Sequence, residues 1–111
     1  MPNPVRLSWA GTTVRVNSTK NASWPQRVTI TKVGDSSPSA LYELPRDEFI
    51  MTNGPGDFDV LHETKVNGAG PWVRGQGRNG SGSSRVAEFD DSPNATGDED
   101  FNDTVITFMN P

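Results

Sequence analysis

Apolar and polar positions alternate along most of this chain with a period of two. In Gln26-Arg27-Val28-Thr29-Ile30-Thr31, Val28 and Ile30 alternate with Arg27, Thr29 and Thr31. An extended segment with that pattern buries one face and leaves the other wet. Similar short alternating or β-branched runs predict strands near Val5 to Trp9, Thr12 to Val16, Gln26 to Val33, Ala40 to Leu44 and Phe49 to Thr52. Further strands are predicted near Val60 to Val66, Pro71 to Arg74, Arg85 to Phe89 and Thr104 to Met109. No segment keeps a helical period for three turns. Turn formers separate the runs: Ala10-Gly11, Gly34-Asp35-Ser36-Ser37-Pro38, Asn53-Gly54-Pro55-Gly56 and Asn67-Gly68-Ala69-Gly70-Pro71. The expectation is an all-β chain, a single-domain antiparallel β-sandwich of about nine short strands over residues 1–111.

Two stretches change that picture in detail. In the last predicted strand Ile106 and Phe108 share one face, but Val105 and Met109 make the opposite face apolar as well. A strand apolar on both sides is either central or lies at a subunit contact. The tract Arg74-Gly75-Gln76-Gly77-Arg78-Asn79-Gly80-Ser81-Gly82-Ser83-Ser84 reads as a mobile hairpin loop. Its Gly75, Gly77 and Gly80 formally match a dinucleotide fingerprint, but no helix-forming segment follows to point a dipole at a phosphate.

The chain of 111 residues is long enough for one two-layer core. It has no cysteine, so neither disulfides nor thiolate metal sites contribute. With a net charge of -4 and no basic stripe, it has no surface of the kind that binds nucleic acid by counterion release. No apolar run approaches the length of a membrane span, and Met1 to Gly11 lacks the basic and apolar regions of a cleavable export signal. A soluble protein without membrane insertion is the expectation. Asn-x-Ser/Thr triplets begin at Asn17, Asn21, Asn79, Asn94 and Asn102, which is unremarkable in a chain rich in Asn and Ser.

Charge is distributed very unevenly. Residues 88–103 hold Glu88, Asp90, Asp91, Asp98, Glu99, Asp100 and Asp103, seven of the fourteen acids, and no Lys or Arg; outside them seven acids face ten bases. Packing that much like charge into one loop costs free energy through mutual repulsion unless a cation sits inside it. Asp98, Asp100, Asn102 and Asp103 offer hard oxygen ligands at the density calcium requires. Charge runs are ordinarily solvated faces. Here, however, Asn is mixed with Asp, Phe101 anchors the middle, and the segment passes at once into a strand.

Competing chemistries fit less well. An EF-hand loop also opens Asp-x-Asp-x-Asn, but its sixth position requires Gly and its twelfth a bidentate Glu, where this chain has Asp103 and Met109. His62, the chain's one histidine, has no second histidine at zinc-protease spacing and reads as a polar group on a strand surface. A Ser-His-Asp site assembles in space and spacing does not exclude it, but nothing marks a nucleophile elbow. Asp98 and Asp100 could serve as a glycosidase pair, although their crowding suits cation ligation better. The protein is therefore expected not to be an enzyme.

At Asp98-Glu99-Asp100-Phe101-Asn102-Asp103, leading straight into an apolar final strand, the sequence resembles the fucose-binding lectin II family, calcium-mediated bacterial lectins of about this size. That family carries Asp-x-Asp-Tyr-Asn-Asp at the same place and binds fucose or mannose through two adjacent calcium ions. The resemblance implies that Asp98, Asp100, Asn102 and Asp103 are calcium ligands and that Asp98, Asp100 and Asp103 also touch the sugar. It further implies a ligand from an early loop. Asn21-Ala22-Ser23-Trp24 has that form, with Asn21 on calcium and Ala22, Ser23 and Trp24 contacting the sugar; Asn17 is the reserve choice. The family's remaining acid is a Glu four residues before the motif, where this chain has Asn94. Asp90 or Asp91 is expected to supply that carboxylate, with residues 92–96 as an insertion. The pair also fits a related motif of other calcium-bound β-domains, an aromatic-acid-acid triplet ahead of a glycine-bearing loop, here Phe89-Asp90-Asp91.

Two calcium ions about 4 Å apart repel by about 16 kcal/mol at an effective dielectric of about 20, so bridging carboxylates are needed to hold them. The function implied is a calcium-dependent lectin whose ions take sugar hydroxyls as oxygen ligands, binding a monosaccharide or glycan terminus without turnover. Single sugar sites are weak, and presenting several together strengthens them, so a homodimer or higher oligomer is expected. The alternative is a β-sandwich interaction or matrix module whose calcium is purely structural.

Overall fold

In the segment Val5-Arg6-Leu7-Ser8-Trp9 every second side chain is buried, and the same alternation runs through Gln26 to Ile30 and Phe58 to Thr64. The computed structural model describes residues 3–91 and 103–111. In chain order the described strands are β1 (Val5–Trp9), β2 (Val14–Lys20), β3 (Gln26–Lys32), β4 (Ala40–Glu43), β5 (Phe49–Met51), β6 (Gly56–Thr64), β7 (Val73–Arg74), β8 (Gln76–Asn79), β9 (Val86–Asp90) and β10 (Thr104–Met109). All pairings are antiparallel. One sheet has the order β1-β6-β3-β4, with β7 also against β6; the other has the order β5-β2-β10-β9-β8. The chain is thus an all-β sandwich, as its alternation predicts.

The core lies between the sheets. Leu7, Val28, Ile30, Phe58 and Val60 from the first meet Val14, Val16, Ala87, Phe89, Ile106 and Phe108 from the second. Phe108 is the hinge pin of the packing: its ring stands edge-on to Phe58 at 5.6 Å and to Trp9 at 6.4 Å. Each such side chain contributes about 1.5–3 kcal/mol by leaving water. With no disulfide available, this packing holds the sheets together.

Several predicted boundaries shift, for reasons that lie in pairing. The strand expected at Thr12 to Val16 instead runs Val14–Lys20, because polar residues 17–20 pair residue by residue with Thr104 to Thr107. The strand expected from Val60 starts at Gly56: Asp57 and Asp59 point outward, where they meet Ser8 and Arg6, and Phe58 and Val60 point in.

The glycine-rich tract is not a loop throughout. Its Gln76–Asn79 part is strand β8, paired with Glu88 and its neighbours on β9. Gly75, Gly77 and Gly80 reflect close approach. A Cβ on Gly77 would sit 2.7 Å from both Phe89 and Val5, and a Cβ on Gly75 would overlap the Asp90 carbonyl oxygen and lie 2.7 Å from His62 Nδ1. His62, expected on a strand surface, is fully buried and points into the space between the sheets. It shares parity on β6 with Phe58, Val60 and Thr64.

Candidate functional site

At one end of the sandwich, three segments meet. The exit of β2 reaches Asn21, whose N–H donates to the Asp103 carbonyl oxygen at 2.8 Å. The Asp103 N–H donates in turn to the Phe89 carbonyl oxygen at 3.1 Å, and the Asp91 N–H donates to Asp103 Oδ2 at 2.9 Å. These bonds continue the β2-β10-β9 ladder past its regular end and link Asn21, Asp91 and Asp103 to one another.

The consequence is a cluster of carboxylates. Ligand oxygens of Asp90, Asp91 and Asp103 all lie within 4.8 Å of one another, Asp90 being only 1% exposed and the other two half-buried. Oxygens that share one calcium at 2.3–2.6 Å are separated by no more than about 5 Å, so the donor set and its spacing fit a hard divalent cation. Soft or thiophilic metals are poorly matched, since all three donors are carboxylate oxygens. Both Asp90 and Asp91 belong to the cluster, although only one was expected to join it.

Of the other sequence-predicted residues, Ala22, Ser23 and Trp24 follow Asn21 on the β2–β3 loop, with Ser23 exposed and Ala22 and Trp24 half-buried. Asn17, the reserve ligand, lies mid-strand opposite Thr107, four residues or about 13 Å from Asn21 at the strand rise, and is remote from the cluster. Asp98, Asp100 and Asn102 fall outside the described residues.

Below the carboxylates is a set of buried polar side chains that sequence inspection missed. Gln26 Nε2 donates to the Trp24 carbonyl oxygen at 3.0 Å and to Thr64 Oγ1 at 3.1 Å. Gln26 Oε1 accepts from Thr104 Oγ1 at 3.2 Å and faces His62 Nε2 at short range. Burial without a charged partner pushes the His62 imidazole down to about 3, so it is neutral at ordinary pH. Parity could have revealed these groups: Gln26 shares the inward face of its strand with Val28 and Ile30, as His62 does with Val60. Buried and 0% exposed, His62 cannot meet a substrate at the surface, which removes the chain's one histidine as a catalytic base in this conformation.

Concavities of the surface lie away from the cluster. A cleft of about 410 Å³ is lined by Trp9, Thr12, Thr13, Arg85 and Asn110 at the opposite end, roughly the 17 Å length of β10 away. No Asp or Glu lines it. The carboxylate cluster thus stands apart from that cleft.

These features define a two-sheet antiparallel sandwich carrying an acidic cluster where its final strand begins. The sandwich fold, taken without its acidic cluster, is similar to that of the C-terminal domain of BC2L-C lectin from Burkholderia cenocepacia, with a TM-score of 0.62 over 99% of this chain and 97% of that one, at 16% sequence identity. No protein-family model matches the chain, and no curated protein matches it by sequence.

Proposed function

We propose that this protein is a calcium-dependent carbohydrate-binding lectin of the fucose- or mannose-binding type, acting by binding and not by turnover. The observation that carries the reading is the convergence of Asp90, Asp91 and Asp103 beside Asn21. It occurs where an Asp-x-Asp-Phe-Asn-Asp segment enters the last strand of a sandwich whose fold is also that of a lectin domain. Asn21, Asp90, Asp91 and Asp103, with Asp98, Asp100 and Asn102, would hold the calcium, taken as two ions per subunit. Bound calcium supplies coordination positions that vicinal sugar hydroxyls can fill in place of water. The chain's own part is to hold the carboxylates adjacent, and to present Ala22, Ser23 and Trp24 along with Asp98, Asp100 and Asp103 to the sugar.

Multivalent presentation fits the outer face of the second sheet. Val105, Thr107 and Met109 are half-buried there, and Ile50 is 51% exposed one strand beyond Arg15, the residue that pairs with Met109. A second copy packed on this strip would give the homodimer expected of a lectin with weak single sites. Glycan-array binding that vanishes in chelator supports the proposal. Binding undiminished in chelator contradicts it.

A second reading has its own observation. Asp90 is almost wholly buried and one oxygen of Asp103 already accepts from the Asp91 N–H, so these residues are well placed to close a shell entirely with protein oxygens. In that case calcium would only clamp the loop of an interaction module. Stabilisation by calcium without any sugar binding distinguishes it.

A further inference from the structure

We infer that a buried polar relay centred on Gln26 sets the relative positions of the three segments bearing Asn21, Asp90, Asp91 and Asp103, making Gln26, His62, Thr64 and Thr104 positioning residues for the cation site. The inference rests on the cation reading above and extends it to side chains that touch neither ion nor sugar.

A sandwich core has no need of an amide, an imidazole and two hydroxyls, and burying them is unfavourable unless each finds partners. Here the bonds are specified one by one. The Thr64 hydroxyl donates to the Pro25 carbonyl oxygen at 3.0 Å, so it can only accept from Gln26 Nε2. That fixes the amide orientation: Nε2 faces Thr64 and the Trp24 carbonyl, while Oε1 faces Thr104 and His62. With Oε1 an acceptor, His62 carries its proton on Nε2. The imidazole then stacks on Phe89, with ring centroids 4.9 Å apart and planes 20° from parallel.

Each arm of the relay ends next to a proposed ligand. Trp24 and Pro25 close the loop that Asn21 opens, Thr104 directly follows Asp103, and Phe89 directly precedes Asp90. Apolar groups of the same volume would fill this space, but they would slide; directional bonds set a distance. Outer residues of this kind commonly alter metal affinity by about 10–100-fold without touching the ion.

The test uses Gln26→Met and Thr104→Val, which keep volume and remove bonds, with Thr104→Ser restoring the hydroxyl. Amide hydrogen exchange is measured on ion-free protein, and calcium affinity by calorimetry with the metal alone. In both Gln26→Met and Thr104→Val the Asn21, Asp91 and Asp103 amides are expected to exchange about tenfold faster while mid-strand amides such as Val60 hold steady, and the calcium Kd to rise about tenfold. Thr104→Ser should stay near wild type. Exchange accelerated equally at every amide would reduce the relay to a stability element and overturn the inference. Wild-type calcium affinity in Gln26→Met and Thr104→Val overturns it alone, whereas a wild-type protein that takes up no calcium overturns the cation reading and this inference together.

Discussion

His62 gives the sandwich a specific sensitivity to acid. Its folded-state pKa is held at about 3 by burial, against about 6.5 in an unfolded chain. Because the folded value is depressed, the unfolded state binds the proton first, and stability falls as pH drops below about 6.5 and continues to fall toward 3. Integrating that difference from pH 7 to pH 5 gives a loss of about 2 kcal/mol from this one group. For a chain of 111 residues the unfolding entropy near the midpoint makes each kcal/mol worth about 4 °C, so the expected fall in Tm is about 8 °C. The assay is thermal unfolding followed by far-UV circular dichroism at pH 7 and pH 5, in chelator, for wild type and His62→Gln. The glutamine variant should lack this part of the pH dependence while keeping that of the carboxylates. If wild type and His62→Gln lose the same number of degrees, His62 does not titrate as a buried neutral group and the reasoning fails.

Other expectations follow from particular contacts. Gly75→Ala places a methyl group into the Asp90 carbonyl and against His62 Nδ1, so it should destabilise the fold by about 1–3 kcal/mol in urea unfolding and weaken calcium binding as well. Phe108→Ala removes the ring that joins Phe58 and Trp9 across the core and should cost about 3–5 kcal/mol, measured by the same unfolding. Adding calcium at about a hundred times its Kd should raise unfolding stability by about 2.7 kcal/mol in wild type, with a much smaller gain in Asp103→Ala at the same calcium concentration. The proposed homodimer predicts twice the chain mass by light scattering for wild type and a single chain mass for Ile50→Lys on the outer face of the second sheet; a dimer kept in Ile50→Lys would exclude that strip as the contact.

Period-two alternation made the class of fold readable, because in stretches such as Val5 to Trp9 and Arg27 to Thr31 burial follows hydropathy residue by residue. It failed where pairing overrides hydropathy. Residues 17–20 look like loop and form strand because β10 lies alongside them, and Gln76–Asn79 looks like a flexible tract although its Gly77 is needed for close contact with β9 and β1. That Asp90, Asp91 and Asp103 lie in the acidic stretch was legible by composition, but that these three come together depends on the pairing of β9 with β10. The buried polar layer was not, because Gln26, His62, Thr64 and Thr104 bond to one another across distant parts of the sequence and a hydropathy pattern registers each only as a polar interruption. Their parity along β3 and β6 carried the information instead.

The most direct test of the central claim is calorimetric titration of ion-free protein with calcium, followed by methyl fucoside and methyl mannoside. The account predicts calcium uptake, then saturable binding of at least one of the two sugars only after calcium is present. Sugar binding of equal strength in chelator, or calcium uptake followed by no heat from either sugar, would contradict it.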